Sequence, residues 1–149
     1  MDMVRLGIGI YGVSAVPGKK LTPVASLKCK VLQVKQLGPG DTVGYGRWGH
    51  AREGTVIATI PVGYADGIDR HLGRGAASFS LNGHRVPTIG NICMDMCMLD
   101  VTGVPAAVGD TVTVFGEDPT VEELADILGT IPYEILSSVP RRIERMVIR

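Results

Sequence analysis

The chain has 149 residues, 45% of them apolar, and its fifteen basic side chains balance fifteen acidic ones. That length and apolar content suffice for a domain with a core, the cancelling charge supplies no global field toward nucleic acid or an anionic membrane, and no apolar run approaches the roughly 20 residues that span a bilayer. With no leader-like N-terminus and an odd set of cysteines, Cys29, Cys93 and Cys97, the expectation is a cytoplasmic protein with reduced, buried thiols, no disulfide framework and no metal centre.

In chain order, the first element is "MVRLGIGIYG". Its apolar residues fall in both parities, which suits a strand covered on both faces, as in a parallel sheet or barrel. Nothing downstream repeats the strand and helix alternation that such a sheet requires. Residues 1–12 therefore read as the last strand of a domain that has been cut away, and residues 13–149 as a separate unit. From about residue 22 to 116 the chain is a series of short β-rich runs, among them "VASLKCKVLQVKQL", "GTVIATIPV", "ICMDMCMLDVT" and "DTVTVFG". Turn-forming "GPGD", "NGH" and "AVGD" separate them, and an all-β barrel or sandwich follows. Asn82 and Gly83 in "SLNGHRV" predict a tight hairpin. One helix is marked by Thr120 as N-cap, Glu123 at the third helical position and Gly129 as its stop, and a second short one begins at "PYEILSSV". The closing "RRIERMVIR" reads as a last strand with a charged outer face, or as an interface strand.

Several stretches carry residues with chemical potential. Arg5 is a fixed cation with a planar fork of donors, and Gly7 and Gly9 beside it let backbone N–H groups approach an anion, although glycines also serve packing in a crowded strand. "GYADG" places Tyr64 on a turn; its ring either caps a core edge or meets something that docks there, and Asp66 suits an Asx-turn. Asp95 lies inside the apolar run "CMDMCMLDV", where a carboxylate needs a partner if the strand is buried or else marks an exposed face. Tyr133 starts a helix, where a phenol and the local dipole can hold an anionic oxygen. Tyr45 stands between two glycines in "VGYG", with little neighbouring side chain to pack against.

Taken together and in order, "MVRLGIGIYG", "LQVKQLGPGDTVGYG", "IATIPVGYADGI", "VPTIGNICMDMCMLDV" and "IPYEILSSVPRRIER" resemble the C-terminal domain of the pyridoxal-phosphate-dependent alanine racemases over essentially the whole chain. The resemblance implies a mainly β, barrel-like or Greek-key-like domain with one or two short C-terminal helices. It also implies that residues 1–12 are the last strand of an N-terminal (β/α)₈ barrel and residues 13–149 the β domain. The implied reaction interconverts L- and D-alanine, the D-alanine serving peptidoglycan, with pyridoxal 5′-phosphate as cofactor.

Inverting a stereocentre requires a proton to leave one face of Cα and return to the other, so two groups must stand on opposite sides. By the resemblance, Tyr45 is one of them and serves the substrate of a neighbouring subunit in a head-to-tail homodimer. The other is the cofactor-bearing lysine of the barrel, so these 149 residues alone are expected to be inactive and not to hold the cofactor stably. Arg5 matches the arginine facing the pyridine nitrogen, to which a guanidinium donates a hydrogen bond without giving up its proton, favouring racemisation over transamination. Gly7 and Ile8 match backbone donors to the cofactor phosphate, and Tyr133 adds its hydroxyl. Met94 matches the residue whose main-chain N–H meets the substrate carboxylate, and Tyr64 a tyrosine lining the access passage. Two positions depart from the family: Asn91 where arginine is common, which removes a positive charge from the path of the amino acid, and Val147 where tyrosine is common. The alternatives are the β domain of a related decarboxylase, which would be expected to carry a cysteine-centred substrate motif, and a β-barrel binding module without chemistry.

Overall fold

A computed structural model describes residues 2–16 and 18–148; Met1, Pro17 and Arg149 lie outside the described residues, including the parts of the expected first and last strands that fall on them. Among the described residues nine short strands form: β1 (Leu27–Lys30), β2 (Gln33–Gln36), β3 (Thr42–Val43), β4 (Gly49–His50), β5 (Val56–Ile60), β6 (Ser78–Leu81), β7 (His84–Pro87), β8 (Cys97–Asp100) and β9 (Thr111–Phe115). They pair antiparallel in a four-stranded sheet, β1-β9-β6-β7, a three-stranded sheet, β2-β5-β8, and the hairpin β3-β4.

The two larger sheets share both of their edges. β1 runs into β2 through Val31 and Leu32, whose N–H groups bond Asp110 of one sheet's margin and Thr59 of the other. At the opposite edge Thr88, just past β7, bridges Leu99 of β8. Backbone pairing thus makes a full circuit, β9 to β1 and β2, β5, β8, β7, β6 and back, which is the barrel-like arrangement expected and leaves few unpaired edges. Alternation decides what fills it: Phe79 and Leu81 of β6, Val86 of β7, Val112 and Val114 of β9 and Leu99 of β8 point inward and are almost wholly buried.

β5 and β8 are covered on both faces. Ala58, Ile60, Cys97 and Leu99 join the main core, while Ile57 and Met98, of the other parity, pack with Leu37, Val43 and Ala51 in a second cluster under the β3-β4 hairpin. That outer cluster seats the hairpin whose connecting turn carries Tyr45. The thiols are free: Cys97 is buried, and Cys29 and Cys93 are partly so. Burial, followed by the charge of Asp66, pushes the Cys29 thiol up to about 12, and burial among the other two cysteines raises Cys97 as well.

The Asn82-Gly83 hairpin forms with both residues at positive φ, as its turn type demands. Helix α1 (Val121–Leu128) is capped by Thr120, whose hydroxyl oxygen accepts from the Glu123 N–H at 3.2 Å, and ends at Gly129 in the left-handed conformation. It buries Val121, Leu124 and Ala125, and α2 (Pro132–Ser138) packs beside it through Ile135.

Two segments with the sequence pattern of strands are unpaired among the described residues. Among the described residues, 3–7 belong to no strand, and Ile8–Tyr11 make a single 3-10 turn closed by Gly12 at φ 79°. A strand is a paired object, and apolar pattern alone cannot supply the pair. The tail from 141 to 148 is likewise unpaired: Arg145 bonds the carbonyls of Val139, Pro140 and Ile143, which wraps the backbone around its guanidinium, and Met146, Val147 and Ile148 are exposed. Among the described residues no helix is long and apolar enough to cross a membrane.

Candidate active site

Tyr45 opens the 3-10 turn Tyr45–Arg47 that joins β3 to β4, and the residue is 75% exposed. Flanking Gly44 and Gly46 take φ of 75° and 70°, conformations that cost an L side chain dearly. They are also crowded. A Cβ on Gly44 would sit 3.1 Å from the Asn91 backbone nitrogen, and one on Gly46 3.0 Å from the Trp48 ring. The glycines therefore serve a tight turn whose one large free side chain is the phenol. Asn91, expected to line an access path, is instead buried beneath this turn and donates from Nδ2 to the Tyr45 carbonyl at 2.7 Å.

Tyr64 and Met94 lie on two loops that are bonded to one another. Tyr64 starts the 3-10 turn Tyr64–Asp66, and its N–H and that of Ala65 donate to the carbonyls of Cys93 and Met94, each at 3.0 Å. Met94 sits in a turn closed by the Cys93 N–H on the Met96 carbonyl, and both Tyr64 and Met94 are about half exposed. The loops touch so closely that a Cβ on Gly63 would lie 2.2 Å from the Cys93 oxygen.

The two acids flagged in these stretches share one cation. Asp66 is buried; its Oδ2 accepts from the Gly63 N–H at 2.9 Å, and its Oδ1 from Arg142 Nε at 2.9 Å. Arg142 Nη2 also donates to exposed Asp95 at 2.8 Å. Both possibilities raised for Asp95 hold at once, since it faces solvent and has a partner. Arg142 does not stand out in the sequence because "RRIER" has the look of a strand's outer face. The available hint was chemical: an acid inside each of two apolar stretches needs a cation, and that segment is rich in them.

A second group forms elsewhere. The space where a Cβ of Gly7 would stand is 2.8 Å from the Tyr133 hydroxyl oxygen, so the phenol of α2 and the backbone of the Gly7–Ile8 turn approach each other only because residue 7 is glycine. Tyr133 is about half exposed, and Ile8 is buried and anchors the turn. Backbone N–H groups of a glycine turn with a phenolic hydroxyl beside it are the kind of donors that suit a tetrahedral anion. Arg5 is exposed two residues upstream. The sequence-derived residues thus fall into three groups: Tyr45 on its turn over Asn91, Tyr64 and Met94 on their bonded loops, and Gly7 and Ile8 with Tyr133.

Comparison with known proteins gives one answer at three levels. The family profile described as "Alanine racemase, C-terminal domain" matches residues 24–147. The chain is 46% identical to the alanine racemase of Desulfovibrio desulfuricans over 99% of its own length and 41% of the relative's, and 45% identical to that of Mycobacterium avium over 97% and 39%. The chain thus spans about two fifths of the curated relatives it matches. Among solved structures it superposes on an alanine racemase of Clostridium difficile 630 in complex with cycloserine with a TM-score of 0.89 at 36% identity, covering 96% of this chain and 40% of that one. For the Bartonella henselae alanine racemase with covalently bound pyridoxal phosphate the values are 0.88 and 34%, over 95% and 40%. Profile, sequence and fold agree, and the chain belongs to the alanine racemase C-terminal domain family.

Proposed function

We propose that this chain serves as the C-terminal domain of an alanine racemase, whose active sites interconvert L- and D-alanine in a cytoplasmic head-to-tail homodimer and supply D-alanine for peptidoglycan. Tyr45 is the proton-transfer group on one face of the alanine Cα. Its phenol stands free of its own domain, on a turn fixed at the backbone, which suits reaching into a site completed by the other subunit. The Met94 N–H takes the substrate carboxylate, and Tyr64 on the bonded loop lines the way in.

Gly7, Ile8 and Tyr133 would hold the phosphate of pyridoxal 5′-phosphate, and Arg5 would face its pyridine nitrogen. When bound, the cofactor supplies the electron sink that makes the Cα proton labile. Arg5, whose guanidinium only donates hydrogen bonds, would moderate that sink and so favour return of a proton to Cα. In the family, the lysine opposite Tyr45 lies in the barrel, so these residues alone are expected to be inactive and to bind the cofactor poorly.

The observation that carries this reading is the exposed Tyr45 phenol on a backbone-locked, glycine-walled turn, within a chain that matches the family profile over residues 24–147. In the racemase containing this chain, Tyr45→Phe should lower kcat by about 10²–10⁴-fold, and the 149 residues alone should not racemise alanine. A Tyr45→Phe enzyme close to wild type, or turnover by the chain alone, would refute it.

A further inference from the structure

Among the described residues Asn91 is the only buried side-chain amide. Burying an amide is costly unless both ends are bonded, and the two ends of this one meet different elements. Oδ1 accepts from Arg74 Nε at 2.7 Å, and Nδ2 donates to the Tyr45 carbonyl at 2.7 Å. A guanidinium only donates and a carbonyl only accepts, so the amide fits in one orientation.

Arg74 is itself constrained. It adopts φ of 58°, its N–H donates to the Gly90 carbonyl at 2.8 Å, and its guanidinium lies 3.9 Å over the centre of the Trp48 ring. Trp48 directly follows the turn that begins with Tyr45. The contacts make a ring: Tyr45 carbonyl, Asn91, Arg74, Trp48, and back through three peptide bonds to Tyr45. Holding the carbonyl fixes the peptide plane at Tyr45 Cα, and with it the direction in which the phenol leaves the backbone.

We propose that Asn91 is a positioning residue for Tyr45, kept in register by Arg74 seated on Trp48. The inference rests on the proton-transfer role proposed for Tyr45. It also changes the meaning of the departure from arginine at this position: the amide supplies a two-ended joint, and positive charge stays beside it on Arg74.

The test separates the two arms. Asn91→Ala removes both, while Asn91→Asp keeps an acceptor for Arg74 but turns an oxygen toward the Tyr45 carbonyl. In the holoenzyme containing this chain both should lower kcat by about 10- to 100-fold, since an ångström of misplacement costs on that order, with KM for alanine changed by less than about twofold. Trp48 is the only tryptophan of this chain, so emission from the 149 residues reports the Arg74 seat. It should shift in Asn91→Ala and Arg74→Met and stay put in Asn91→Asp. Wild-type kcat in Asn91→Asp, or a lowered melting temperature in Asn91→Ala with kcat intact, would overturn the proposal; if Asn91→Ala does not fold, Asn91→Asp and Arg74→Met decide it. If Tyr45→Phe leaves the rate unchanged, the Tyr45 reading falls instead, and the emission data still show whether the ring of contacts exists.

Discussion

The turn that carries Tyr45 and the paired loops that carry Tyr64 and Met94 meet the same demand, an exposed group on a fixed backbone, with different chemistry. Beneath Tyr45 the lock is a neutral amide bonded to a carbonyl, braced by a cation on an aromatic ring. Beneath Tyr64 and Met94 it is a buried carboxylate and an exposed one sharing the guanidinium of Arg142, which arrives from 76 residues away. A neutral joint aims one side chain, whereas an ionic bridge ties three segments of chain, so its loss should be felt more widely. Each assembly also relies on one glycine where backbones nearly touch, Gly90 against Val43 and Gly63 against Cys93 and Met94.

Those glycines allow the largest contrast. A Cβ on Gly90 would sit 2.5 Å from the Val43 oxygen at a φ of 69°, and one on Gly63 2.4 Å from the Met94 oxygen. Alanine at either position should cost at least about 1–3 kcal/mol, because backbone on both sides must move. The kinetic signatures should differ: Gly90→Ala shifts the Tyr45 turn and lowers kcat, while Gly63→Ala parts the Met94 loop from its neighbour and raises KM for alanine. Identical signatures would mean that the two assemblies are not separate.

Next comes the ionic bridge. Asp66→Ala should destabilise the chain by about 1.5–3 kcal/mol in urea melts, since hydrogen bonds to a charged group are lost and the Gly63 N–H is left without its acceptor. Asp66→Asn should recover part of this by still accepting from Gly63. No difference between the two variants would remove the Gly63 bond from the account.

The smallest effect lies in the core beneath both assemblies. The folded chain keeps protons on Cys29 and Cys97 above the ordinary thiol value of 9.0, where the unfolded chain has lost them. Stability is therefore full below pH 9 and falls as pH rises, by about 1 kcal/mol per thiol at pH 10. Comparing urea midpoints at pH 8 and pH 10 checks this, and Cys29→Ala with Cys97→Ala should flatten the difference; an unchanged slope in the double variant would assign the alkaline loss to other groups.

What the sequence disclosed follows the range of the forces involved. The Asn82-Gly83 hairpin and the Thr120-to-Gly129 helix were legible because their determinants lie within a few residues. The runs that become β6 and β9 were legible as β-rich, but which of their residues turn inward is read only from the folded chain. Residues 3–12 and 141–149 have a strand's composition, yet pairing depends on a neighbour that composition does not reveal, and no described part of either segment pairs. Tyr45, Tyr64, Met94 and Tyr133 could be picked out by motif, but not the contacts that hold them. Asn91 read as a missing charge when it is a buried joint, and Arg142 as surface when it is a bridge, because each owes its role to partners distant in sequence.

The most direct measurement is exchange of the alanine Cα hydrogen with deuterated solvent by the Tyr45→Phe enzyme, followed separately from L- and from D-alanine. Loss of the phenol should slow abstraction from one enantiomer severely and leave the other near the wild-type rate, because only one face of Cα has lost its group. Equal slowing from both enantiomers would make Tyr45 a structural residue and contradict the account.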